Sequence, residues 1–225
     1  MYYVNKLVVF LVLNFFAIPL LYSQEKIYIK TFRGESITPY IKDITELCIT
    51  IYREYPYLYE GTEEEYLPFI EHYTCSNYGI ACLLFDNTKP IGVAIGMPMD
   101  EMREKYKKPF INARPQENCE ELFYLGEFLL LNDYRDQGFG KQMYLELERL
   151  VKENPKLKKI CFCKFDETDQ GPLMPENYKA LDHFWEKLEF DKCDDLTVTV
   201  YWRNIYSEED SPHKLMHWLK TLFKD

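Results

Sequence analysis

The chain has 225 residues, 47% hydrophobic and 28% charged, with a net charge of −10. That length suits one sizeable core, and the balance is that of a globular protein, not a disordered or fibrous one. The acidic charge excludes the basic footprint of a nucleic-acid binder; an acidic solvated surface or a cationic substrate fits it.

The N-terminal 24 residues stand apart. One lysine precedes an apolar run from Leu7 to Tyr22. As a helix this run spans about 24 Å against roughly 30 Å of hydrocarbon, short for a membrane span and ordinary for an export-signal core. Ser23 is a small residue suited to a cleavage point, but Leu21 is a poor partner for it. Three readings stay open: a cleaved signal, a short uncleaved anchor with membrane contact, and a helix packed on the domain. Residues 25–225 carry no linker or repeat and read as a single domain.

Residues 26–32 (KIYIKTF) alternate in polarity and predict a strand. Ile41, Ile44, Leu47, Cys48 and Ile51 recur at helical spacing and predict a helix over 40–54. An aromatic turn, YPYLYEG, is punctuated by Pro56 and Gly61. Glu63, Glu64 and Glu65 then open a helix to residue 73, with negative charge at its positive end. GIACLLF and PIGVAIGM, split by the turn DNTK, predict a hairpin. Residues 98–120 lack a strong period and predict a helical or irregular insertion. ELFYLGEFLLLN, residues 121–132, predicts a central strand. Residues 138–151 predict a helix with Phe139, Met143, Leu147 and Leu150 on its apolar stripe and Glu146, Glu148 and Arg149 off it.

KICFCKF predicts a buried strand with Cys161 and Cys163 on one face. None of the seven cysteines forms a CxxC pair, so reduced, mostly buried thiols are expected rather than a zinc site or disulfide framework. The four histidines show no metal-ligand spacing, and no metal is expected. Residues 177–188 predict a helix with Tyr178, Leu181, Phe184 and Leu188 on one face, and LTVTVYW predicts a strand. The tail fits either a helix through Leu215, Leu219 and Leu222 or a strand paired with its predecessor. The order is that of an α/β chain with a mixed sheet.

One loop carries chemistry. NDYRDQGFGKQM, residues 132–143, joins the central strand to the next helix. Amides at a helix start lack internal partners and sit at the positive end of the dipole. Gly138 and Gly140 allow close backbone approach, and Arg135 and Lys141 add charge, which suits a diphosphate. Gln142 after Lys141 breaks a Walker loop, and Met143 stands where a dinucleotide fingerprint needs its third glycine. A glycine-rich turn packed on a helix is the plain alternative.

The Arg135–Gly140 pattern in this strand order resembles the GNAT superfamily of acyl-coenzyme A N-acyltransferases. NYKALDHFWEKLEF resembles the superfamily's late helix, with Asn177, Ala180, Phe184 and Phe190 at matching places. YREYPYLYEG, FYLGEFLLLNDYRDQGFG and LDHFW resemble one bacterial branch of it. The resemblance covers residue 26 to the C-terminus. It implies a mixed, splayed sheet flanked by helices, with the tail as a final strand. It also implies that Arg135, Asp136, Gln137, Gly138, Phe139, Gly140 and Lys141 cradle the coenzyme A pyrophosphate, joined by Asn177 and Phe184. The pantetheine arm would enter between residues 123–131 and 160–164, meeting the backbone of Leu129, Leu130 and Leu131; binding where strands part also suits open α/β sheets.

Acyl transfer to an amine needs a base, because an alkylammonium has a pKa near 10.4. Glu127 is the favoured base, as the lone acid in an apolar strand; burial would raise its pKa toward a useful value. Its placement in LGEF resembles acidic residues near the base position of polyamine-type acetyltransferases, though Gly126 leaves the usual acidic pair incomplete. A structural pairing with arginine or tyrosines is the alternative role for Glu127. The superfamily's usual tyrosine acid is replaced by Trp185, which has no titratable proton, so Tyr178 is the substitute to test. The thiolate can also leave unassisted. Glu189 replaces the pattern's glycine, so the helix end is expected to close differently. Tyr55, Tyr57 and Tyr59 are expected in the acceptor pocket, with packing as their other use.

Two functions are weighed. One is an acetyl-CoA-dependent N-acetyltransferase for a small-molecule or peptide amine. The other is a catalytically silent acyl-CoA-binding or interaction module of the same fold, favoured by Trp185 and by the export-like N-terminus. The acetyl-CoA requirement implies a domain facing the cytoplasm, which an uncleaved anchor would allow.

Overall fold

The computed structural model describes residues 27–165, 174–176 and 178–223. The apolar run from Leu7 to Tyr22 lies outside the described residues. Among the described residues, seven strands form one sheet: β1 (Ile27–Arg33), β2 (Ile80–Asp86), β3 (Lys89–Pro98), β4 (Leu122–Leu130), β5 (Lys159–Phe165), β6 (Asp191–Arg203) and β7 (Asp210–Thr221). Their order is β1-β2-β3-β4-β5-β7-β6. Only β4 and β5 run parallel; the other neighbours are antiparallel.

Among the described residues, five α-helices flank the sheet: α1 (Ile41–Tyr52), α2 (Glu63–Cys75), α3 (Glu104–Ala113), α4 (Phe139–Val151) and α5 (Asp182–Lys187). Apolar side chains of α1, α2 and α3 fill the core on one face, and those of α4 and α5 fill the other. The start of α2 is a capping box: Thr62 accepts from the Glu65 N–H, and the Glu65 carboxylate accepts from the Thr62 N–H. The insertion after β3 holds α3, flanked by short 3-10 turns.

The sheet is splayed. β4 and β5 pair only over residues 122–124 against 159–161, then part. β5 continues as a partner of β7 as far as Phe165, and β4 as a partner of β3 as far as Leu130.

The tail is a strand paired with β6, as the resemblance implies, and it lies between β6 and β5. Residues 215–220 are buried throughout, so no polar alternation marks them in the sequence. The helix expected over 177–188 is the shorter α5, because the Tyr178 N–H is in a turn with the Pro175 carbonyl and Lys179 is paired with Asp136. Glu148, expected on the polar face of α4, is buried and accepts from Lys220 of β7 and Lys152. A buried charge of this kind needs such partners.

The end of α5 also closes as a glycine would close it. Glu189 adopts φ 66°, its N–H donates to the Glu186 carbonyl at 2.8 Å, and the Phe190 N–H donates to the Trp185 carbonyl at 3.1 Å.

Candidate active site

Glu127 is placed by a bulge. Leu125 pairs with Gly96 and Glu127 with Ile95, leaving Gly126 as the extra residue on β4. Before it, Leu122 and Tyr124 face the α1–α3 core, while Phe123 and Leu125 face the α4–α5 core. After it the parity is reversed, with Leu129 toward α1–α3 and Phe128 and Leu130 toward α4–α5. A slip of one residue turns a strand over. Without Gly126 as the extra residue, Glu127 would share the face of Phe123 and Leu125. With it, Glu127 stands among the side chains of α1 and α2.

There Glu127 is 4% exposed and accepts a hydrogen bond from the Tyr52 hydroxyl at the end of α1. Burial pushes its carboxyl up to about 7, and the Tyr52 bond holds it partly back. Tyr52 lies four residues after Cys48 on the apolar stripe of α1, which is the signal that could have found it. The lone glycine in an apolar strand was the signal for the bulge.

An aromatic wall extends from this pair. Tyr57 packs edge-on to Tyr52 with ring centres 4.7 Å apart, and Tyr59 lies 5.5 Å from Tyr66. Trp202 of β6 is 6.1 Å from both Tyr57 and Tyr59. Tyr55 turns elsewhere, meeting Tyr178 edge-on at 4.6 Å. The turn carrying these tyrosines is pinned to β6. The Glu60 N–H donates to the Arg203 carbonyl at 2.9 Å, the Ile205 N–H to the Leu58 carbonyl at 2.8 Å, and Trp202 Nε1 to the Tyr57 carbonyl at 3.1 Å. Trp185 is buried among Phe128, Tyr144, Phe162 and Phe190.

The glycine loop opens α4. Gly138 caps the helix with φ 84°, and a Cβ there would meet nothing within 4 Å. Gly138 is therefore required by conformation and not by crowding. A Cβ on Gly140 would sit 3.7 Å from Phe128 and 3.8 Å from Phe184, an ordinary contact, so the protein itself does not demand glycine there. The first helical bond runs from the Gln142 N–H to the Gly138 carbonyl. The amides of Phe139, Gly140 and Lys141 thus have no helical acceptor and face outward at the positive end of a 13-residue helix. This bare, amide-lined cradle fits a diphosphate.

The loop's side chains are arranged around it. Arg135 turns back: its Nε donates to the Leu130 carbonyl at 2.9 Å, and its guanidinium pairs with Glu54 at 2.8 Å. Asp136 takes φ 58° and pairs with Lys179 at 2.9 Å. Gln137 donates to the Asp133 carbonyl at 2.9 Å. Phe139 is half-buried against the α4–α5 core, Lys141 is exposed, and Phe184 stacks on Phe128 at 5.8 Å. Asn177 lies outside the described residues. The Leu131 N–H donates to Ile91 of β3 at 3.0 Å, so by alternation the main chain of Leu129 also faces β3. That of Leu130 faces the parting, where its carbonyl already holds Arg135.

Among the described residues, no group of His, Cys, Asp and Glu is arranged to hold a metal. No helix among them is long and apolar enough to cross a membrane.

The model of the acetyltransferase (GNAT) family matches residues 44–172, more than half of the chain. No curated protein matches the sequence. Solved structures share the fold. An aminoglycoside 6'-N-acetyltransferase complexed with coenzyme A has a TM-score of 0.55 at 13% identity, over 88% of this chain and 98% of that one. Arabidopsis thaliana NAA60 with a bisubstrate analogue has 0.56 at 11%, over 86% and 98%. The ribosomal-protein-S18-alanine N-acetyltransferase from Escherichia coli has 0.51 at 13%, over 89% and 96%.

Proposed function

Because the chain belongs to the acetyltransferase (GNAT) family, we propose that it transfers an acetyl group from acetyl-CoA to a primary amine, with Glu127 as general base. The carrying observation is a buried carboxylate, titrating near neutrality, on the bulge where β4 leaves β5. A base poised near the working pH is ionised often enough to accept a proton and basic enough to keep it.

Bound acetyl-CoA supplies the activated acyl carbon. Glu127 takes one proton from the acceptor ammonium, directly or through a water. Nitrogen attack on that carbon forms the C–N bond, the C–S bond breaks, and the thiolate leaves with the electron pair; the second proton on nitrogen passes to that thiolate or to water. The open amides of Phe139, Gly140 and Lys141 would hold the pyrophosphate, and Phe184 and Phe128 would wall it. The wall of Tyr57, Tyr59 and Trp202 adjoins Tyr52, the partner of Glu127, and aromatic rings of this kind attract a cationic amine. The relatives named for aminoglycoside and for ribosomal-protein-alanine substrates support small-molecule and peptide acceptors alike.

Calorimetric titration with acetyl-CoA tests the cradle. Micromolar binding is expected, lost in an Arg135→Glu, Gly138→Asp variant. Thiol release on a panel of primary amines tests transfer, and Glu127→Gln should lower it by about 10²-fold or more with acetyl-CoA affinity kept. If the unmodified protein does not bind acetyl-CoA, the reading falls.

A further inference from the structure

Tyr73 of α2 is wholly buried, and its hydroxyl has no hydrogen-bond partner among the described residues. An unpaired buried hydroxyl costs stability, so its retention calls for a use. Its position is tied to Gly126: a Cβ on that residue would stand 1.7 Å from the Tyr73 oxygen. The phenol therefore fills the volume that a side chain at 126 would take, next along the strand from Glu127. Phe69 holds the ring edge-on at 5.4 Å.

Glu127 also has spare capacity. Tyr52 donates to Oε2, while Oε1 has no partner among the described residues. An ionised carboxylate has about four lone-pair sites to offer. A spare acceptor at residue 127 and a spare donor against residue 126 thus meet neighbouring positions of the bulge. The other titratable groups facing Glu127 are Cys48 and Tyr52 from α1, Tyr66 from α2, Tyr106 from α3 and Cys163 from β5. Burial keeps each of them protonated, and none is a cation. Hydrogen bonds from neutral donors are the available means of holding an anion there.

We propose that Tyr73 is a positioning residue for Glu127: when the carboxylate ionises, Oε1 accepts from the Tyr73 hydroxyl while Oε2 keeps Tyr52. This rests on the reading of Glu127 as the base. Two phenols then hold the carboxylate plane fixed toward the acceptor side and favour its charged form.

The test is a pH titration followed by NMR of protein labelled with ¹³C at the glutamate side-chain carboxyl. Glu127→Gln identifies the resonance. In Tyr73→Phe the Glu127 midpoint should rise by about one pH unit, a tenfold change in its ionisation constant. Gly126→Ala, which displaces the hydroxyl without removing it, should move the midpoint the same way. Below the Glu127 midpoint Tyr73→Phe should melt no lower than the unmodified protein, because there it deletes an unpaired hydroxyl. An unmoved midpoint in both variants overturns the proposal. The titration needs no acceptor. A shifted midpoint without acetylation of any amine would remove the base role and leave the Tyr73 bond standing, whereas normal transfer with an unmoved midpoint would sink Tyr73 alone.

Discussion

A lone acid in the apolar stretch YLGEFLLL marks Glu127 in the sequence, because burying an unpartnered carboxylate is costly. Its partner is not marked, since Tyr52 lies 75 residues away and meets it only through packing of α1 on the sheet. Burial raises this carboxyl from 4.5 to about 7 in the folded state. Between those values the native protein keeps a proton that the unfolded chain has released. The contribution to stability is therefore greatest at low pH and falls as pH rises through 7. By pH 8 the loss is about 3 kcal/mol, a ceiling set by the size of the shift. Thermal unfolding across pH checks this: Glu127→Gln should gain on the unmodified protein from pH 5 to pH 8. Parallel curves would mean that Glu127 titrates as an exposed acid.

At the level of elements, α4 and the β2–β3 hairpin are legible because each has one buried face, or a turn with its own chemistry. The bulge in β4 and the short α5 depend on partners that periodicity does not report: Gly96 across the ladder, and Asp136 and Tyr55 around the stretch before α5. The C-terminal cap of α5 gives a direct test of local cost. Glu189 holds a left-handed φ of 66°, which suits glycine better than a residue with a Cβ. Glu189→Gly should stabilise the protein by about 1 kcal/mol and raise its melting temperature by about 2–4 °C in calorimetry. A lower melting temperature would show that the glutamate side chain contributes more than its backbone costs.

For the whole molecule, thiol access reports the fold. All seven cysteines are free; Cys75 is exposed, and Cys48, Cys82, Cys161 and Cys193 are buried. Burial also pushes the thiols of Cys82 and Cys163 up to about 12, far from the reactive thiolate. A chromogenic disulfide reagent should meet one fast thiol in the native protein, absent in Cys75→Ser, and the buried four only on unfolding. Several fast thiols in the native state would contradict this packing. The place of β7 between β5 and β6 bears on how such a sheet is assembled during synthesis. β5 and β6 leave the ribosome before the strand that joins them, so each waits with an unsatisfied edge until residues 210–221 emerge. Exposed edges of that kind invite pairing between nascent chains. The α1–α3 core is itself completed by Cys193, Leu196, Val198 and Trp202 of β6 and by Leu215 and Leu219 of β7, so it too awaits the last strand.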